Sequence, residues 1–231
     1  FEPSSMPEAD LYVIGNALSR GNKCVEEILN KNFPYKSGPE MLGDIIKDRF
    51  VIAVSGTHGK TTTSFMIAKI FQSLGMDIGY LIGGISPDFS FSAKIGSDEI
   101  FVIEADEYDS AFFDKRSKFI HYSPNILLIN NIEFDHADIF NDLDEIKKQF
   151  HHLLKIIPSS GKIVLFNHDK NALDVINKGC WADIIEINGD KSKASFDLSS
   201  STIKFDGNSV NINDLPFYGS HNNLNAAAAI I

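Results

Sequence analysis

An α/β fold with a central, mostly parallel sheet flanked by helices is predicted, and three features of the sequence carry that prediction. Short β-rich runs alternate with longer helical patterns, as parallel α/β architecture requires. From Phe50 onward the strand runs are apolar throughout instead of alternating, so helices are expected on both sheet faces. A glycine-rich stretch, Gly56-Thr57-His58-Gly59-Lys60-Thr61-Thr62, lies where one strand pattern ends and a helical one begins.

Taken in order, Leu11-Tyr12-Val13-Ile14 reads as a buried strand. Lys23 to Asn30 is helical, with Cys24 or Val25, Ile28 and Leu29 at the required spacing. Pro34 and Ser37-Gly38-Pro39 interrupt that pattern, which puts a linker between Phe33 and Lys47. Residues 1–47 are therefore expected to end one domain, and 48–231 to form a second. Phe50-Val51-Ile52-Ala53-Val54 is a strand that runs directly into the glycine loop. Thr61 to Leu74 follows as a helix, with Phe65, Ile67, Ala68, Phe71 and Leu74 on its apolar side. Further strands are Ile100 to Ile103, Ile126 to Ile129 and Lys162 to Leu165, with a helix from Asp142 to Ile157 between the last two. Ile184 to Ile187 reads as another strand. Ile203 to Leu215, with turn residues Asp206-Gly207-Asn208, reads as a small β-hairpin.

Composition bounds the function. With 231 residues, 43% hydrophobic and 23% charged, the chain can hold one large globular domain or two small ones. It opens on Phe1 and stops in Ala226-Ala227-Ala228-Ala229-Ile230-Ile231, a run like the first turns of a helix, so a piece of a longer protein is expected. The net charge of -10 argues against a nucleic-acid partner gripped through its phosphates. A phosphorylated small molecule stays open, because backbone N–H groups and one or two lysines suffice to hold it. Cys24 and Cys180 are far apart and form no CxxC pair, which fits a reducing compartment. No apolar run reaches the ~18 residues of a membrane span, and no signal peptide is visible, so a cytoplasmic protein is expected. Oligomeric state has no signature here.

The glycine loop supplies the chemistry. In the order strand, loop, helix, glycines let the backbone curl so that several N–H groups face one set of oxygens. The helix start adds the positive end of its dipole. Lys60 is placed to reach the β- and γ-phosphates of ATP, and the Thr61 hydroxyl to ligate Mg²⁺. This is a P-loop in the short form GxxGK[ST], since Val54 stands where the longer pattern has its first glycine.

Ser55-Gly56-Thr57-His58-Gly59-Lys60-Thr61-Thr62-Thr63 resembles the ATP loop of the Mur ligases, which build the peptide of bacterial cell walls and share that short form. The resemblance continues through Glu104-Ala105-Asp106-Glu107 and Asn131-Ile132-Glu133-Phe134-Asp135-His136. It ends in His221-Asn222-Asn223-Leu224-Asn225, the HNxxN element. The run from Glu104 to Phe119, with Tyr108 where the alanine-adding ligases have Ser, is similar to the branch that rejoins murein tripeptide to UDP-N-acetylmuramate. The resemblance implies a central P-loop ATPase domain over 48–231, incomplete at its end. Residues 1–47 would be the tail of a Rossmann-like UDP-binding domain, and a third, closing domain would be missing.

By the same resemblance, Glu104 holds a magnesium ion between phosphates and substrate carboxylate, and His136 belongs to a second magnesium site. Asn222 and Asn225, three apart on one helix face, are assigned to adenine; Asn222 as a plain helix cap is the alternative. Gly56, Thr57, His58, Gly59, Lys60, Thr61 and Thr62 cradle the phosphates, with His58 either touching phosphate or substrate or filling the loop. Several relatives carry a carbamylated lysine; its position falls on His151, so none is expected, and His151 and His152 read as a helix face. Lys115, Arg116 and Lys118 are either a solvated basic run or contacts to the anionic tripeptide. The implied reaction joins L-Ala-γ-D-Glu-meso-diaminopimelate to UDP-N-acetylmuramate through an acyl phosphate at the expense of ATP, with Mg²⁺. Its rivals are a UDP-N-acetylmuramate–L-alanine ligase, a folate-type glutamate ligase and a P-loop nucleotide-binding module without ligase chemistry.

Overall fold

The computed structural model describes residues 2–135, 140–215 and 219–231. Its elements run β1 (Tyr12–Ile14), α1 (Lys23–Asn30), β2 (Tyr35–Ser37), α2 (Gly38–Ile46), β3 (Phe50–Ser55), α3 (Lys60–Ser73), β4 (Gly79–Leu81), β5 (Ala93–Lys94) and β6 (Ile100–Glu104). There follow β7 (Asp109–Ala111), β8 (Asp114–Ser117), β9 (Ile126–Ile129), α4 (Leu143–Leu154), β10 (Lys162–Phe166), α5 (Lys170–Asn177) and β11 (Asp183–Ile187). The chain closes with β12 (Ala194–Asp197), β13 (Thr202–Phe205), β14 (Asn208–Asn211) and α6 (Ser220–Ile230). These elements form two compact units, 1–47 with 106–123, and 48–105 with 124–231.

In the first unit β1 and β2 pair in parallel, joined by α1, whose Val25 and Ile28 bury against Ile14. The stretch expected to be a linker is instead β2 and α2. Ser37-Gly38-Pro39 starts a helix: Ser37 Oγ accepts the Glu40 N–H at 3.2 Å, and a proline in the first turn forfeits no helical bond. The Ser-x-x-Glu spacing was the available signal. Residues 106–123, expected within the second domain, belong to this unit. Phe112 and Phe113 at the tip of the β7–β8 hairpin pack with its small core, and Phe113 meets Tyr35 edge-on at 5.0 Å.

The second unit carries a seven-stranded sheet in the order β11-β10-β9-β3-β6-β4-β5, parallel except where β5 pairs with β4. Strands β3, β6, β9 and β10 are buried at nearly every position, as their unbroken apolar sequences anticipate. From β3 the chain moves outward to β4 and returns through β6; it then crosses to β9 on the other side of β3. The carboxyl ends of β3 and β9 therefore flank a reversal of strand order, where open α/β sheets place ligands. Helix α6 packs on α3, and its buried Ala226, Ala227 and Ala228 present little bulk at the contact.

Three local expectations are corrected. Leu74 is 70% exposed, because α3 stops at Ser73 and Leu74 turns off the apolar face as its C-cap. The hairpin turn is Asp206-Gly207 alone, both at positive φ as a two-residue turn requires, and Asn208 already pairs with Phe205. The hairpin ends at Asn211 and is joined by β12, making a three-stranded sheet. Among the described residues no helix is long and apolar enough to cross a membrane.

Candidate active site

At the end of β3 the backbone enters the loop Gly56–Gly59, and α3 begins at Lys60. The first α3 bond runs from the Thr63 N–H to the Gly59 carbonyl, 2.9 Å. The N–H groups of the first turn therefore have no acceptor within the helix, and they carry the positive end of its dipole. Gly59 sits at φ +82, a left-handed geometry that glycine adopts without strain. Lys60 Nζ lies in the curl of the loop, donating to the Gly56 carbonyl at 2.6 Å and the Thr57 carbonyl at 3.4 Å.

One wall of the loop is the chain leaving β9. Asn131 clasps His58 at both backbone groups: its Oδ1 accepts the His58 N–H at 2.8 Å, and its Nδ2 donates to the His58 carbonyl at 3.3 Å. The Asn131 carbonyl accepts the Thr57 N–H at 2.9 Å. Thr57 Oγ1 donates to the Glu133 carbonyl and accepts the Glu133 N–H, at 3.1 and 2.9 Å. Residues 130–133 are held in turn by Asp169. Its Oδ2 accepts the Ile132 N–H at 2.8 Å, and its Oδ1 caps α5. Asn130, Asn131 and Asp169 received no role from the sequence, because only the β3–β9 neighbourhood brings them to the loop.

Asn225 on α6 is buried, and its Nδ2 donates to Asn222 Oδ1 at 3.4 Å, so the two amides share a helix face as their spacing anticipates. Asn222 lies in the first turn; the N-cap is Gly219, so the cap alternative does not describe it. Asn225 Oδ1 accepts from Asn130 Nδ2 at 3.5 Å, which brings the HNxxN element against the loop.

Glu104 ends β6 directly opposite Val54 of β3. Its Oε2 lies 3.0 Å from where a Cβ on Gly83 would stand, and the Thr61 methyl lies 3.3 Å from the same point on Gly84. The Gly83-Gly84 turn thus packs against two of the three residues expected to hold magnesium, Glu104 and Thr61. A carboxylate and a hydroxyl are the hard oxygen donors that Mg²⁺ takes, together with phosphate oxygens and water. Among the described residues no three His, Cys, Asp or Glu gather into a ready-made cage. Thr62 and His58 are exposed at the mouth, with His58 Nε2 3.9 Å from Glu133 Oε2. His136 lies outside the described residues.

The remaining sequence candidates have local partners. His151 stacks on Trp181 with ring centroids 6.5 Å apart, and burial together with Lys155 lowers the pKa of both His151 and His152. In the first unit, Lys115 pairs with Asp109, Lys118 with Asp106, and Arg116 grips Asp114 through two 2.8 Å bonds.

Residues 54–231 match the family model described as the Mur ligase middle domain. The chain belongs to the Mur ligase family. This Mur ligase chain is 48% identical to the UDP-N-acetylmuramate–L-alanyl-γ-D-glutamyl-meso-2,6-diaminoheptandioate ligase of Escherichia coli over 97% of its own length and 50% of the relative's. It is 32% identical to a UDP-N-acetylmuramate–L-alanine ligase of Clostridium botulinum, over 98% of the chain and 50% of that protein. Among solved structures it resembles the UDP-N-acetylmuramate:L-alanyl-γ-D-glutamyl-meso-diaminopimelate ligase from Neisseria meningitides, with 41% identity and a TM-score of 0.87, covering 96% of this chain and 72% of that one. The chain spans about half the length of the E. coli and C. botulinum relatives.

Proposed function

We propose that the protein containing this chain is an ATP-dependent carboxylate–amine ligase that joins L-Ala-γ-D-Glu-meso-diaminopimelate to UDP-N-acetylmuramate in peptidoglycan recycling. Use of ATP is common to the family. The observation that carries the reading is the short P-loop, pinned at a strand-order reversal with Thr61 and Glu104 on either side of Gly83-Gly84. Identity of 48% to the tripeptide-adding relative, against 32% to the alanine-adding one, favours the larger acceptor. A cytoplasmic location follows from that chemistry.

The reaction is phosphoryl transfer followed by acyl transfer. A carboxylate oxygen of UDP-N-acetylmuramate bonds to the γ-phosphorus as the bridge to ADP breaks; the tripeptide amine then bonds to the activated carbonyl as phosphate leaves. Two anions must approach closely, so the site's task is positioning and charge neutralisation. Here Lys60 neutralises the β- and γ-phosphates, while the backbone of 56–62 orients them. Glu104 and Thr61 would hold Mg²⁺, which when bound would screen carboxylate from phosphate. His136 would contribute to a second cation, and Asn222 with Asn225 would fix the adenine. On this reading the unit formed by 48–105 and 124–231 belongs to the ATP-binding domain, and 1–47 to the UDP-binding domain.

The test uses the full-length protein. ADP release is measured with UDP-N-acetylmuramate and, in turn, the tripeptide, L-alanine and glutamate. Tripeptide-dependent release that Lys60→Ala lowers about a hundredfold or more is expected. Release driven by L-alanine alone points to the alanine-adding activity, and nucleotide binding with no acceptor dependence sinks the ligase reading.

A further inference from the structure

We infer that Asn130 is a positioning residue for the phosphate loop, setting the direction of its peptide groups from beneath. The inference rests on the nucleotide site proposed above and adds a residue to it. Asn130 is the first residue after β9 and is 8% exposed. Its Nδ2 faces three acceptors from three elements: the His58 carbonyl of the loop at 3.2 Å, Thr63 Oγ1 of α3 at 3.0 Å and Asn225 Oδ1 of α6 at 3.5 Å. That surrounding sets which end of the amide is which, since an oxygen in the same place would confront two other oxygens that cannot donate.

The other end of the amide is unmatched. Asn130 Oδ1 is buried and has no hydrogen-bond partner among the described residues. A buried acceptor without a donor is unfavourable, and an apolar side chain of the same shape avoids that cost. Asparagine is thus a poor choice for packing alone; what it supplies is its donor end. The consequence for the loop follows from peptide planarity. Asn130 and Asn131 draw the His58 carbonyl to their side, and in a trans peptide the Gly59 N–H points the opposite way. The Asn131 side chain grips His58, whereas the Asn130 side chain also ties that grip to α3 and, through Asn225, to the HNxxN helix. Phosphate-binding and base-binding elements are thereby braced on one buried nitrogen.

The experiment compares Asn130→Leu with the wild-type full-length protein. Leucine matches the amide in shape and relieves the orphan acceptor, which offsets part of the cost of the acceptors it leaves behind, so the variant should fold and melt only a few degrees below wild type. KM for ATP, and Kd for a fluorescent ATP analogue with Mg²⁺, should rise about tenfold, the loss of one hydrogen bond to the loop. KM for UDP-N-acetylmuramate and for the tripeptide should not change. Wild-type nucleotide affinity in the folded variant overturns the inference, as does a uniform weakening of all three substrates. Should Asn130→Leu fail to fold, Asn130→Asp decides. A buried carboxyl donates only when protonated, and burial raises its pKa. The ratio of its nucleotide affinity to wild type should therefore climb as the pH is lowered from about 9 to about 6, and a flat ratio overturns the inference. Nucleotide binding is read without any acceptor, so a protein that binds ATP but ligates nothing refutes the ligase and leaves this test intact.

Discussion

Replacing Gly59 by alanine separates two costs that the loop avoids. At φ +82 an L-residue is strained by about 1–2 kcal/mol. The new Cβ would stand 2.6 Å from Asn225 Oδ1 and 2.7 Å from Asn130 Nδ2, closer than such atoms can approach. Both are side-chain ends and can swing away, at about 1 kcal/mol for each hydrogen bond given up. The total comes to about 3–4 kcal/mol. Gly207→Ala is the control, because its φ of +85 is the same and nothing lies within 4 Å of its Cβ. Urea denaturation of the two variants should place Gly59→Ala about 2 kcal/mol below Gly207→Ala, the difference being the contact cost. Gly59→Ala should also lose most of the thermal stabilisation that ATP and Mg²⁺ give the parent, whereas Gly207→Ala keeps it. Equal destabilisation by the two substitutions would falsify the claim that the two amides press on the loop.

Other consequences can be measured together. The Lys60→Ala and Asn130→Leu variants are expected to separate in kind, the first lowering turnover about a hundredfold or more and the second weakening ATP alone. Ser37→Ala removes the cap of α2, should cost about 1 kcal/mol, and should speed amide exchange in the first turn of that helix; an unchanged exchange rate contradicts the cap. The Arg116 guanidinium holds the Asp114 carboxyl down from 3.8 to about 2. A depressed folded pKa means stability that is full above pH 3.8 and lost as pH falls toward about 2. Asp114→Asn should therefore melt lower at neutral pH and show a shallower loss between those two pH values; a slope identical to wild type removes Asp114 from the account.

Much of the sheet was legible because its central strands are buried on both faces. Phe50 to Ser55, Ile100 to Glu104 and Ile126 to Ile129 need no context to be recognised, since no polar residue interrupts them before their ends. The three-residue β4 and two-residue β5 are too short to show a period, and α2 was missed because Gly38 and Pro39 resemble a break when Ser37 is not read as a cap. The glycine loop and its lysine were legible for a similar reason: binding a polyphosphate through backbone N–H groups demands particular residues at consecutive positions.

The sequence alone determined what is local in the chain: the strand runs, the curl at Gly56–Gly59, the lysine that follows it, and the carboxylate at the end of β6. Tertiary structure decided which of these meet. Asn130 and Asn131 stand more than 65 residues from the loop they brace, and Asp169 a further 38 from Asn131. No periodicity links them, because strand order in a parallel sheet is set by crossovers and by how helices pack on its faces, neither of which leaves a mark at the residues brought together.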